Sequence, residues 1–253
     1  MSVTAMKIIK PAWYIGCSGF HYPEWKNVFY PEGLPQSKWF SFYSEHFNTL
    51  ELNVTFYRFP QLTFLENWYS KSPDSFSFSV KAPRAITHYK QFSGTERMLG
   101  DFYGGLRQGL KEKLACVLFQ LPERSKYSEG LLEKIIHSMD GSFTNVIEFR
   151  HESWWQQKVY DELAGNAISF CSQSHPKLPD AVIHNTALIY YRFHGVPVLY
   201  KSQYQKKKIQ SVIEQIVQPG NASKAYIYFN NTMGVAGIRN ARQTERIVEQ
   251  FGV

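Results

Sequence analysis

The 253 residues are enough for one large domain or two small ones, and with 16% aromatic against only 19% charged residues the chain is no disordered polypeptide. No apolar stretch approaches the ~18 residues that a membrane-spanning helix needs, which excludes a helical membrane protein, and the opening MSVTAMKIIK lacks the apolar centre of a secretory signal, so the expected location is cytoplasmic. Lys and Arg total 28 against 21 Asp and Glu, a formal charge of +7 that favours anionic partners in general.

Residues 1–12 read as an N-terminal extension, followed by a first strand at 13–18 (WYIGCS). Further β-rich runs lie at 48–54, 75–81, 115–120, 145–150, 167–173, 187–194 and 224–230. Between them, Leu131, Leu132, Ile135, Ile136 and Met139 form one helical stripe. Ile209, Val212, Ile213, Ile216 and Val217 form another, which Pro219-Gly220 should stop. Ser153 with Gln156, and Ser202 with Gln205, have capping-box spacing at plausible helix starts. Residues 174–186 carry two prolines and no stripe, so the sixth strand–helix unit is expected to be irregular. Ile238, Ala241, Ile247, Val248 and Phe251 complete the last amphipathic segment. Eight such alternations match a (β/α)8 TIM barrel built as one domain over 1–253. A doubly wound sheet is the alternative, but GCSGF after the first strand is not its glycine-rich phosphate turn. Cys17, Cys116 and Cys171 are odd in number and form no CxxC or Cys/His spacing, which argues against a disulfide scaffold or a zinc ribbon.

Strand side chains alternate, and a barrel's outer face must be apolar to receive its helices. Sending Leu50, Leu52, Val54, Phe76, Phe78, Val80, Val117, Phe119, Ile147, Phe149, Ile168, Phe170, Ile189, Tyr191, Phe193, Ile227 and Phe229 outward turns their neighbours inward. The inward residues at the carboxyl ends are then Ser18, Asn53, Lys81, Gln120, Arg150, Gln173, His194 and Asn230, all polar. One layer below come Gly16, Glu51, Ser79, Leu118, Glu148, Cys171, Arg192 and Tyr228. Barrel interiors are usually filled by Val, Ile and Leu, and barrel active sites form at this end, so the departure marks a ligand pocket. The competing reading is a structural lattice in which Glu51 and Glu148 neutralise Arg150 and Arg192.

The loop 19–36 carries Phe20, His21, Tyr22, Trp25, Phe29 and Tyr30 and serves either as a stacking wall or as a plug over the barrel. His88 and Arg84 follow the third strand, and His151 and Trp154 follow the fifth. In NNTMGVAG (230–237), Gly234 and Gly237 would let backbone N–H groups at a helix start hold an anion, with Asn230, Asn231, Arg192 and His194 nearby.

IGCSGFHYPEW (15–25), FYP (29–31), TLELNVTFYRFP (49–60), FSVKAPRAITH (78–88), VLFQLP (117–122), IEFRHESW (147–154), YYRFHG (190–195) and YFNNTMGVAGIRNA (228–241) together resemble the YecE-like family, the domain of unknown function 72. The resemblance spans nearly the whole chain in order and implies a TIM barrel; it implies no reaction. Members commonly have Thr and Trp where Cys17 and Phe20 stand, and many carry an acid near the end of strand six, where this chain has Ser172-Gln173.

Three functions follow as expectations. In the first, Lys81, Arg150 and Arg192 hold a phosphate- or carboxylate-bearing substrate that Asn53, Gln120, Asn230 and Asn231 orient. Glu148 is then the general base, with His194 and His88 as alternative proton carriers in a hydrolase- or lyase-type reaction. In the second, the basic residues contact nucleic-acid phosphates while Trp25, Tyr22, Phe29 and Tyr57 stack bases. The third is a non-catalytic anion-binding module. No cofactor is predicted. Glu51, Glu148 and His194 leave a mononuclear metal open, but they are too few for a two-metal hydrolase. The oligomeric state is not legible.

Overall fold

The computed structural model describes residues 10–218 and 222–250. Pro219-Gly220, Phe251 and most of the N-terminal extension lie outside the described residues. Eight parallel strands form one sheet in the order β1-β8-β7-β6-β5-β4-β3-β2. They are β1 (Ala12–Cys17), β2 (Thr49–Leu52), β3 (Ser77–Lys81), β4 (Leu114–Gln120), β5 (Asn145–Glu148), β6 (Ser169–Ser174), β7 (Leu188–Phe193) and β8 (Lys224–Phe229). The helices are α1 (Trp39–His46), α2 (Val54–Tyr57), α3 (Leu62–Lys71), α4 (Glu96–Leu110), α5 (Glu129–Ser138), α6 (Gln157–Gly165), α7 (Lys206–Val217) and α8 (Ala236–Gln250). This is the expected (β/α)8 arrangement. No helix is described between β6 and β7, so the sixth unit is irregular as its prolines foretold.

The seam between β1 and β2 closes the barrel through a single Ser18–Glu51 bridge. Side chains replace the missing ladder. The Tyr43 hydroxyl donates to Thr49 O (3.1 Å) and accepts from Cys17 N (2.7 Å). Asn48 accepts from Ile15 N (3.1 Å) and donates to Trp13 O (2.8 Å). Gly16 is required at this seam, because a Cβ there would lie 2.2 Å from Thr49 O.

Two separate apolar clusters show that the expected register is adopted within the strands. Val54, expected to face outward from strand two, instead opens α2 and is 51% exposed, because the strand ends at Leu52. Leu50, Leu52, Phe78, Val80, Val117, Phe119, Ile147, Phe149, Phe170, Ile189, Phe193, Ile227 and Phe229 belong to the core beneath the helices. Cys116, Leu118, Val146, Cys171, Tyr190, Tyr226 and Tyr228 fill the lower barrel interior. Both faces of each strand are therefore buried, as a parallel sheet wrapped by helices requires.

The capping boxes do not form. Ser153 lies within a short 3-10 turn, Glu152–Trp154, which His151 caps by accepting from Ser153 N. Ser202 Oγ accepts instead from Val198 N at 2.9 Å, and Gln205 precedes α7 without a side-chain cap. Loop 19–36 is a plug. Trp25, Phe29 and Tyr30 are buried, and Tyr30 stacks on Trp39 at 4.6 Å.

Candidate active site at the barrel mouth

The centre of the barrel is an ion lattice. Arg192, from β7, donates through Nη2 to Glu51 Oε1 at 2.6 Å and through Nη1 to Glu148 Oε2. Glu51 accepts further bonds from Ser18 Oγ (2.6 Å) and Tyr190 OH (2.7 Å). Glu148 pairs with Arg150 Nε at 2.5 Å and lies 3.0 Å from His194 Nε2. Arg150 Nη2 lies 3.2 Å from the same histidine nitrogen, and Asn230 Nδ2 faces His194 Nδ1 at 2.9 Å. The amide of Asn230 donates, so Nδ1 accepts and Nε2 carries the proton that His194 gives to Glu148. Two carboxylates thus face two guanidinium groups across a neutral imidazole.

This lattice corrects several expectations. Burial alone would push the Glu148 carboxyl upward, but Arg150, Arg192 and His194 hold it well below the usual carboxylate range. It is buried and its oxygens are committed, so it anchors cations and is not a general base. Burial and then Arg150 keep His194 from taking a second proton, and both its ring nitrogens are engaged. It is not a free proton carrier. Arg192 is fully buried between Glu51 and Glu148, and cannot reach an external anion. These same oxygens are the ones a mononuclear metal would need, and no group of three or more His, Cys, Asp or Glu side chains that could hold a metal occurs among the described residues.

Above the lattice lies a pocket of about 290 Å³, lined by Tyr22, Asn53, Phe56, Tyr57, Lys81, Tyr200, Asn230, Thr232 and Met233. Lys81, the last residue of β3, forms part of its wall and is 8% exposed. Its Nζ donates to Gln120 Oε1 at 2.8 Å and sits 4.1 Å from the centre of the Phe56 ring. Burial, and then Arg192, brings this amine down from 10.5 to about 7, with Glu148 opposing. The charge count adds to burial in the same direction: Glu51 and Glu148 are already matched by Arg150 and Arg192, so a protonated Lys81 is one positive charge too many. Gln120 is spent on Lys81 and on Leu121 O, to which its Nε2 donates at 2.8 Å. Arg150 keeps 9% of its surface. Asn53, just past β2, presents a buried Oδ1 with no hydrogen-bond partner among the described residues.

The remaining expected residues divide. Asn230 and Tyr57 line the pocket, Tyr57 at the rim with 65% exposure. Trp25 is buried and donates from Nε1 to Gly234 O at 3.1 Å, so it fastens the plug to the turn after β8 and stacks on no ligand. Phe29 is likewise buried, which removes two of the four proposed base-stacking rings. Asn231 is buried with its Nδ2 given to Ser202 O (2.9 Å) and Asn240 Oδ1 (3.1 Å). The Gly237 N–H donates to Asn231 O at 3.0 Å, so this donor of the expected anion cradle is already satisfied from within. His88 is half-buried, touches Phe56 edge-on at 5.0 Å, and is lowered to about 4 by burial and by Lys81 and Arg124. It is therefore neutral at pH 7 and a weak base.

Sequence reasoning missed Phe56, Tyr200, Thr232 and Met233 as pocket walls, and His175 beside His194 with ring centres 5.9 Å apart. Burial, followed by Arg150, lowers His175 to about 4. Extending the strand-six alternation two residues past Gln173 would have found it. A roomier depression of about 820 Å³ lies on the flank between α4 and α5. Its polar groups include surface residues that pair with one another, such as Arg107 with Asp140 and Lys134 with Ser93.

The same barrel recurs in known proteins. A DUF72 family protein of Thermotoga maritima MSB8 superposes with a TM-score of 0.84 at 28% identity, covering 94% of this chain and 99% of that one. One from Enterococcus faecalis V583 gives 0.81 at 18% identity over 94% and 95%, and shows the fold alone. By sequence, the UPF0759 protein YunF of Bacillus subtilis (strain 168) is 26% identical over 93% of this chain and 94% of its own. Residues 14–252 match the family described as "Protein of unknown function DUF72". That span runs from β1 through α8 and takes in the whole ion lattice and the pocket above it, and the chain belongs to the DUF72 family.

Proposed function

We propose that this chain is an enzyme acting on a small carboxylate- or phosphate-bearing substrate bound in the pocket over Lys81. The observation that carries this reading is a buried lysine amine with a single acceptor among the described residues, set in the wall of a pocket at the end of the barrel where active sites form. The division of labour differs from the one expected from sequence. Arg150 supplies permanent positive charge beside the mouth. Lys81 supplies an amine that changes charge near neutral pH, which is what proton transfer requires. The Asn53 amide and the Asn230 carbonyl orient the substrate, while Glu148 holds Arg150 and His194 holds Asn230 in place from below.

The pocket's volume suits a molecule of a few carbons. Burial of Trp25 and Phe29 leaves little stacking surface for nucleic acid. Thermal-shift measurements with a panel of short carboxylates and sugar phosphates test the reading. Stabilisation by members of that panel, weakened by salt and lost in Asn53→Ala, is expected. Asn53 makes no side-chain cap to α2, so its removal leaves the helix start unchanged. A protein indifferent to the whole panel, yet retained by a short single-stranded oligonucleotide at low salt, would overturn it.

A further inference from the structure

We infer that Lys81 is a carbonyl-reactive amine, forming an imine with a small aldehyde or ketone that carries a carboxylate or phosphate. This rests on the mouth being a substrate site and names the substrate's reacting group. A lysine buried to this degree ordinarily finds a carboxylate, because an unpaired ammonium is expensive away from water. Among the described residues no carboxylate lies within ion-pair distance of Lys81 Nζ. Glu51 and Glu148 are nearest in chemistry, and both are held by Arg192, with Arg150 also on Glu148. What the amine touches is one amide oxygen, Gln120 Oε1, and the face of Phe56. Desolvation against a ring, beside cationic groups, is how a lysine is kept as a nucleophilic free amine. The shift of Lys81 to about 7 agrees with this placement.

The chemistry balances without an outside reactant. The nitrogen lone pair attacks the carbonyl carbon, the C–N bond forms, and the C=O pair moves to oxygen. Oxygen takes up one proton as nitrogen gives one up, yielding a carbinolamine. A proton taken from solvent converts the hydroxyl to water, which departs with the C–O pair as the nitrogen lone pair forms the C=N bond, giving the protonated imine and one water. The Asn53 Oδ1, buried and without a partner, is an acceptor in the same pocket for the carbinolamine hydroxyl. The protonated imine restores the excess positive charge on the lattice. An anionic group on the substrate supplies the counter-charge that the barrel interior lacks, which is why the inferred class is an anionic carbonyl compound and not a neutral one.

The test is borohydride trapping on the intact protein at pH 7 with pyruvate or dihydroxyacetone phosphate, followed by peptide mapping. The expected result is one reduced adduct at Lys81, favoured about tenfold or more over any surface lysine. The two probes separate a 2-oxo acid from a keto phosphate. Mapping needs no variant. Lys81→Gln, whose fold is checked by circular dichroism, should lose the adduct. Adducts spread evenly over surface lysines overturn the inference. So does thermal stabilisation by a probe that leaves no adduct on Lys81, and in that case the pocket remains a substrate site. Absence of both binding and adduct, across these probes and the anion panel, removes the substrate reading itself.

Discussion

Among the described residues two lysines are buried, one toward each end of the barrel, and their surroundings differ. Lys113, at the entrance to β4, is 4% exposed and donates to Tyr69 O (2.9 Å), Ser72 O (2.8 Å) and Ser72 Oγ (3.1 Å). Those acceptors close the carboxyl end of α3, where free carbonyls and the helix dipole both welcome a cation. The Tyr69 ring adds a further contact, 4.6 Å from the amine. Each of the three protons of Lys113 has somewhere to go. Lys81, at the exit of β3, has one acceptor and two nearby guanidinium groups, Arg150 and Arg192. The closed end of the barrel therefore uses a lysine to complete its structure. The open end holds one whose bonding is incomplete, and incompleteness next to a pocket is what reactivity requires.

Removing Arg192 is the strongest way to break that contrast. Arg192→Met leaves Glu51 and Glu148 buried with only Arg150 as guanidinium partner, and the expected loss is about 3–5 kcal/mol in urea unfolding. The lattice is then short of positive charge, so a protonated Lys81 becomes favourable and the amine should regain basicity. A variant as stable as the parent would show that the lattice does not hold the barrel centre together.

The second test uses pH. An unfolded lysine titrates near ~10.4, and Lys81 in the fold near about 7. Below the folded value both states carry the proton, and the penalty for burying it is fully present. Between the two values the unfolded chain holds one proton more, so stability rises with pH. Subtracting the Lys81→Met profile from that of the parent cancels other titrating groups. The difference should favour the parent by about 2–3 kcal/mol more at pH 9 than at pH 7. A flat difference would mean that Lys81 keeps its proton in the fold. Arg192→Met should flatten it too.

Most of the fold was legible because each strand alternates and a barrel must bury both faces. The helix-facing set from Leu50 to Phe229 follows directly, and so does the polar ring that ends in Lys81, Arg150 and His194. Alternation fixes which way a side chain points but not how many partners await it. That is why Glu148 reads in sequence equally as a base and as a partner of Arg150 or Arg192, when the fold closes it into a pair, and why Lys81 and Arg150 read alike when Arg150 has a carboxylate partner and Lys81 has none among the described residues. Trp25 and Asn231 lie in loops, where no period indicates direction; Trp25 turned into the plug and Asn231 into the turn before α8. Phe56 escaped notice because strand two was read through 54, whereas the chain leaves the sheet after Leu52 and turns into α2.

The smallest effect is also the most direct comparison of the two lysines, each replaced by Met, which nearly matches the aliphatic stem. Lys113→Met strands the carbonyls of Tyr69 and Ser72 at the end of α3, a loss of about 1–3 kcal/mol at pH 7. Lys81→Met releases only Gln120 Oε1, which faces the pocket and can be solvated there, and it removes an amine that was costly to bury. The expected change in stability is within about 1 kcal/mol of zero, and a gain is expected at acidic pH. Equal and large losses at both positions would mean that Lys81 is bonded as fully as Lys113, and the case for a reactive amine at the barrel mouth would fail with that result. Unequal losses in the stated order would leave the lysine at the mouth as the one whose retention stability does not explain.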